Sequence, residues 1–321
     1  MGQDAAWKAH RYRNSNVVEN GLSTIETNEL KYEPTGMNLL NVLTYITWDI
    51  DPDIFTIPFI NHPVRWYGLL FALAFLISQP IMYRIYKKEG QPVSEIDMLT
   101  IYMVVATIVG ARLGHVLFYD PIHYFQNPHK IFMVWEGGLA SHGGVIGILI
   151  AIYLFARKTN VNYLWALDRI SIVASLTFCM IRVGNLMNSE MIGTPTNLPW
   201  GFIFTIKDNI PRHPAQLYEA IHYFIWFIVL FWLWSRRGAR MKNGFLFSWS
   251  LIILFSLRFV DEFFKINQEQ FEDGMILNMG QLLSIPFILT GIVIVISNIG
   301  KKRETISTDK VVVDGEEIST E

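Results

Sequence analysis

The sequence predicts an all-α polytopic membrane protein of about seven transmembrane helices, with its N-terminus outside and its C-terminus cytoplasmic. Three observations carry this. Of 321 residues, 51% are hydrophobic and only 17% charged, too apolar a balance for an ordinary soluble domain. Seven apolar segments are long enough to cross a hydrocarbon layer of about 30 Å. The basic residues between them fall unevenly, which orients the chain.

The expected spans are 64–86, 98–118, 138–156, 165–187, 217–234, 244–264 and 281–299. Pro80 in the first and Pro286 in the last predict kinks, tolerated where neighbouring helices re-satisfy the freed carbonyls. The third span is the weakest, because its beginning is the glycine-rich stretch WEGGLASHGG, Trp135 to Gly144. The domain plan that follows is a polar N-terminal extension (1–47), a seven-helix domain (48–300) and a disordered cytoplasmic tail (301–321). The first 36 residues contain no apolar core of signal-peptide length. MGQDAA opens like an acylation site but carries Ala6 where Ser or Thr is required. Met37, just before the apolar sequence begins, is an equally good start.

Connections after the first, third and fifth spans and the C-terminal tail hold Arg84, Lys87, Lys88, Arg157, Lys158, Arg236, Arg237, Arg240, Lys242, Lys301, Lys302, Arg303 and Lys310. Those 13 compare with 4 on the opposite side: Lys130, Lys207, Arg212 and Lys265. The excess places the C-terminus in the cytoplasm. The formal net charge is only −2, so no global basic field attracts nucleic acid. A single cysteine, Cys179, excludes an internal disulfide and paired-cysteine metal motifs. In its apolar run it reads as a small packed hydrophobe.

Polar residues inside apolar helices are costly and mark candidate sites. Arg112, Arg182 and Arg258 lie toward the outer ends of their spans. Tyr67, the Glu136 and His142 stretch, and RHPAQLYE (Arg212 to Glu219) lie toward the outer starts of theirs. All converge on one half of the membrane. Arg258 and Glu262 are spaced i, i+4, so they can pair on one face, and an arginine so paired can still face a ligand. Arg112 lies between Gly110 and Gly114, a GxxxG close-packing face, where a structural ion pair competes with ligand contact. Arg182 opens RVGNLMNSE, with Asn185, Asn188 and Glu190 following as the helix ends. Glu219 and His222 form E-x-x-H, but there is no second such motif to complete a metal site. Pro214 at a helix start explains much of RHPAQLYE as helix initiation. His142, flanked by Ser141, Gly143 and Gly144, is open to close approach by a ligand or backbone.

The motifs GARLGHVLFYD, WEGGLASHGG, RVGNLMNSE, RHPAQLYE and LRFVDEFF, in that order, resemble those of the bacterial prolipoprotein diacylglyceryl transferase family. The likeness runs from about Trp48 to about Gly300. It implies transfer of the diacylglyceryl group of phosphatidylglycerol to the lipobox cysteine thiol of prolipoproteins. A thioether forms and glycerol phosphate leaves. The partners implied are phosphatidylglycerol, prolipoprotein signal peptides and the bilayer, and the location a bacterial cytoplasmic (inner) membrane, with the site toward the outer face.

By the same resemblance, Arg182 contacts phosphatidylglycerol, Arg258 is the essential arginine of the sixth span, and Tyr67, His142, Asn185, Glu190, Gly193 and Glu262 occupy functional positions. The chain departs from the family in MIGTPT, where Thr194 replaces a basic residue, and at Leu254, where a tyrosine is common. The chemistry expected of these residues is a phosphate clamp, since guanidinium forks answer the anionic charge that builds on a phosphate leaving group. Arg182 and Arg258 are the leading candidates, with Arg112 a third. The attacking thiolate belongs to the substrate. Its proton goes to His142, or else to Glu190 or Glu262. Neither a metal nor an organic cofactor is required. The rival classes are a transporter, for which an internal repeat and a midplane site are expected, and a noncatalytic lipid-binding scaffold.

Overall fold

The computed structural model describes residues 45–58, 62–267, 272 and 274–299. The expected tail and nearly all of the N-terminal extension lie outside these. The described chain is mostly helical. Strands β1 (Ile46–Trp48), β2 (Asp53–Ile57) and β3 (His62–Arg65) come first, then α1 (Trp66–Glu89) and α2 (Glu95–Phe118). A short α3 (Pro121–Gln126) and two 3-10 turns lead to α4 (Ser141–Thr159) and α5 (Tyr163–Met187). Next come β4 (Phe202–Phe204), β5 (Pro211–Arg212), α6 (Ala215–Arg237), α7 (Phe245–Asp261) and α8 (Met279–Asn298).

Seven long helices thus stand where the apolar segments are. Five of them, α1, α2, α5, α6 and α8, are long and apolar enough to cross a membrane. The other two fall short for visible reasons: α7 has 17 residues, and α4 begins with the polar SHGG turn. Pro80 and Pro286 both lie inside continuous helices. The hydropathy pattern did not predict the strands. β1 pairs in parallel with β4, which pairs antiparallel with β5, and β2 and β3 form a separate hairpin.

Packing follows residue size. Gly110 and Gly114 of α2 meet Gly143 and Gly147 of α4 so closely that a Cβ on Gly143 would lie 2.7 Å from the Gly114 Cα. The GxxxG seam therefore joins these two helices backbone to backbone. α5 packs against α1, α4, α6 and α7 and is the central helix. The main apolar core, with Ile85, Tyr86, Ile152, Phe155, Trp165, Ile172, Leu230 and Trp234, lies toward the beginning of α5 and the ends of α1, α4 and α6.

At that end the buried Glu89 carboxylate accepts from Arg169 (2.7 Å), Trp165 Nε1 (2.8 Å) and Trp234 Nε1 (2.6 Å). Neighbouring Asp168 accepts the backbone N–H groups of Gly244 and Phe247, both at 2.8 Å, satisfying donors that a helix start leaves unpaired. This node ties α1, α5, α6 and the start of α7 together. The opposite end, where α5 and α7 finish and α1, α6 and α8 begin, is left for polar chemistry.

Candidate active site

Glu219, on the second turn of α6, is completely buried and organises the polar end. One carboxylate oxygen lies 2.7 Å from Arg182 Nε of α5. The other accepts from Lys265 Nζ at 2.8 Å and lies 4.0 Å from Arg258 of α7. A carboxylate without water is tolerable only when paired in this way. Glu262, just past α7, extends the network: it lies 3.2 Å from Arg258 and 2.9 Å from Lys265, and accepts from the Asn278 amide at 3.3 Å. The i, i+4 pair anticipated for Arg258 and Glu262 therefore forms within a larger assembly.

Arg182 also donates to Asn185 Oδ1 at 3.1 Å. The amides of Asn185 and Asn188 donate to opposite oxygens of Glu190, both at 3.2 Å, and Gln216 donates to the Glu190 carbonyl. Ser189 and Met191 on either side of Glu190 have φ of 52° and 57°, left-handed conformations costly for residues with a side chain. Asn188 Oδ1, Ser189 Oγ and Gln216 Oε1 are buried here without a hydrogen-bond partner. Strain and unpaired polar atoms in one place are what a site prepared for a ligand shows. Tyr67, at the start of α1, packs on Gly184, where a Cβ would approach its ring to 2.9 Å.

Gly193 has a steric task. Its N–H donates to the His213 carbonyl at 3.0 Å, and a Cβ there would lie 2.7 Å from the Phe264 carbonyl oxygen. The glycine lets the 190s loop pass between these two segments and pair with Lys265. His213 bonds the Tyr218 hydroxyl (3.2 Å), which also accepts from Trp200 (2.9 Å). Partial burial lowers the His213 pKa, which favours the uncharged ring.

Arg112 lies elsewhere, and its donors are used up. Nε bonds Ile131 O (2.9 Å), one terminal nitrogen bonds the Gly137 and Gly138 carbonyls, and the other bonds those of Lys130 and Met133. A guanidinium has five N–H donors, so this one has none spare for a phosphate. It instead pins the loop before α4, whose Gly137 and Gly138 adopt φ of 89° and 73°. Arg258 is the opposite case: 29% exposed, it makes ion pairs with Glu262 and Glu219 and no directional hydrogen bond to the described residues. His142 is exposed on the first turn of α4 and shares no hydrogen bond or ion pair with the cluster.

The structure thus brings Arg182, Arg258, Asn185, Glu190 and Glu262 together, with Tyr67 and Gly193 on the surrounding backbone, and leaves Arg112 and His142 apart. Sequence reading missed Glu219 and Lys265 as members. Lys265 follows Glu262 by three residues and Arg258 by seven, the spacing of one helical face. Glu219 is an acid just inside an apolar helix.

A helical, multi-pass membrane protein with a buried arginine and carboxylate cluster at one end of its bundle is the class these features define. Residues 52–297 match the prolipoprotein diacylglyceryl transferase family, and the chain belongs to it. Similar proteins are named phosphatidylglycerol-prolipoprotein diacylglyceryl transferase. That of Porphyromonas gingivalis is 48% identical over 268 residues, covering 78% of this chain and 94% of the relative. That of Tolumonas auensis is 46% identical over 256 residues, 79% of this chain and 98% of the relative. That of Chloroherpeton thalassium is 43% identical over 264 residues, 81% of this chain and 97% of the relative.

Proposed function

We propose that this chain transfers the diacylglyceryl group of phosphatidylglycerol to the lipobox cysteine thiol of prolipoproteins. The single observation that carries the site assignment is the contrast among the arginines. Arg112 is saturated by backbone carbonyls, whereas Arg258 and Arg182 are held in place by Glu219, and Arg258 keeps donors to spare. As the carbon–oxygen bond of the lipid breaks, charge collects on the departing phosphate, and preorganised guanidinium groups stabilise it without reorganising.

Arg182 and Arg258 form the clamp, and Glu219 and Lys265 position it. Tyr67, Asn185 and Glu190 border the lipid headgroup, and Gly193 allows the loop to reach Lys265. Arg112 holds the loop before α4. His142 is free to meet the incoming peptide, whereas both oxygens of Glu190 and of Glu262 already have partners.

All seven long helices cross the bacterial cytoplasmic membrane in this reading, as one domain over residues 48–300. The excess of basic residues places the C-terminus in the cytoplasm and the start of α1 outside. The clamp then faces the outer side, where lipid and signal peptide both reach it laterally.

The test is the purified protein in phosphatidylglycerol vesicles with a lipobox peptide. One glycerol phosphate is expected per peptide converted to the thioether. A peptide left unmodified, with no glycerol phosphate released, would overturn the assignment and favour a lipid-binding scaffold.

A further inference from the structure

We infer that His222, oriented by Asp261, takes the proton from the substrate thiol; the inference rests on the transfer reaction proposed above. His222 Nδ1 lies 2.9 Å from Asp261 Oδ2. A carboxylate can only accept, so Nδ1 carries the hydrogen and the neutral ring presents Nε2 as an acceptor. Asp261 is buried, whereas His222 is 31% exposed, so the ring is anchored on one side and open on the other. Among the described residues, His222 is the only histidine in an ion pair with a carboxylate.

Its place relative to the clamp follows from helix geometry. Glu219 and His222 are three residues apart on α6, and Arg258 and Asp261 are three apart on α7. Glu219 faces Arg258 and His222 faces Asp261, so both pairs bridge the same two helices. Three residues of helix rise roughly 4.5 Å, so His222 stands about one turn along α6 from Glu219, the carboxylate that Arg182 and Arg258 share. The charged groups around the ring are Asp261 on α7 and Glu219 on its own helix. Arg182 of α5 and Arg258 lie beyond Glu219. The other bases considered are less well placed. Glu190 and Glu262 have both oxygens engaged, and His142 has no partner to orient it among the described residues.

The step balances without any other reactant. The cysteine sulfur forms a bond to the lipid glyceryl carbon as its S–H proton passes to Nε2. The carbon–oxygen bond breaks with its electron pair going to the phosphate held by Arg182 and Arg258. The proton then leaves His222 for the glycerol phosphate or for water, and the histidine is restored. Asp261 is a positioning residue that fixes the tautomer and holds the transient imidazolium, the part an aspartate plays behind a catalytic histidine.

The experiment is a pH–rate profile of transfer to a lipobox peptide by the full chain in phosphatidylglycerol vesicles. Loss of a general base costs about 100-fold or more, so His222→Gln is expected to fall by that factor at neutral pH. It should recover toward the parent as pH rises past about 8.5, where a free thiol ionises unaided. His222→Ala should regain activity with added imidazole, which a merely structural role would not permit, and Asp261→Asn should lose activity without changing the Michaelis constant for lipid. His222→Gln with parental activity at neutral pH would overturn the inference, as would an equal loss at every pH with no imidazole rescue. Alkaline recovery in His142→Gln but not in His222→Gln would move the role to His142. Failure of the clamp reads differently: Arg182→Ala would then be active while the His222 profile stands.

Discussion

Three arginines set within apolar helices look alike in the sequence and differ in how many donors remain free. Arg112 spends all five on carbonyls, whereas Arg182 and Arg258 are steered by one carboxylate, Glu219. Glu219→Gln keeps the shape but removes the buried charge that three cations share. Losing one partner from a buried ion cluster costs about 3–5 kcal/mol. We expect that drop in unfolding free energy in detergent, together with loss of transfer. Cys179→Ala, outside the cluster, should change neither.

Arg258 with Glu262 was legible because an i, i+4 pair is local. The partner of Arg182 was not, since it lies on another helix and no spacing rule relates α5 to α6. Lys265 looked like a loop charge because the expected sixth span ended at residue 264, and only the fold turns its amine inward.

At the scale of elements, WEGGLASHGG divides into two parts. Its first half is a loop pinned by Arg112. Its second begins α4, and there Gly143 lies against Gly114. Gly143→Leu must force α2 and α4 apart, and overpacking of this kind costs about 1–3 kcal/mol. The expected result is a lower unfolding temperature in detergent, while Leu at the open position Gly68, where a Cβ meets nothing within 4 Å, should be tolerated far better.

The seven apolar segments marked the long helices to within a few residues, because hydrophobic length is a strong signal. The strands escaped notice because each has two to five residues, and β1 pairs with β4, far away in sequence. The glycine seam was legible from Gly110 and Gly114, but its partner was not.

Across the described bundle, buried charge is divided between its two ends. Glu89, Arg169 and Asp168 at one end are sealed, each no more than 1% exposed in its side chain, and serve packing. The cluster around Glu219 at the other end opens through Arg258. Glu89→Gln should therefore lower stability by about 3–5 kcal/mol while turnover per folded molecule is retained, as expected for sites far apart. Thermal unfolding and transfer, measured on the same preparation, check both halves of this statement.

The central claim is that Arg182 and Arg258 hold the phosphate of the lipid donor. Glycerol phosphate release by Arg182→Ala, in phosphatidylglycerol vesicles with a lipobox peptide, tests it most directly. The account predicts a folded protein with no detectable release, and full activity in that variant would contradict it.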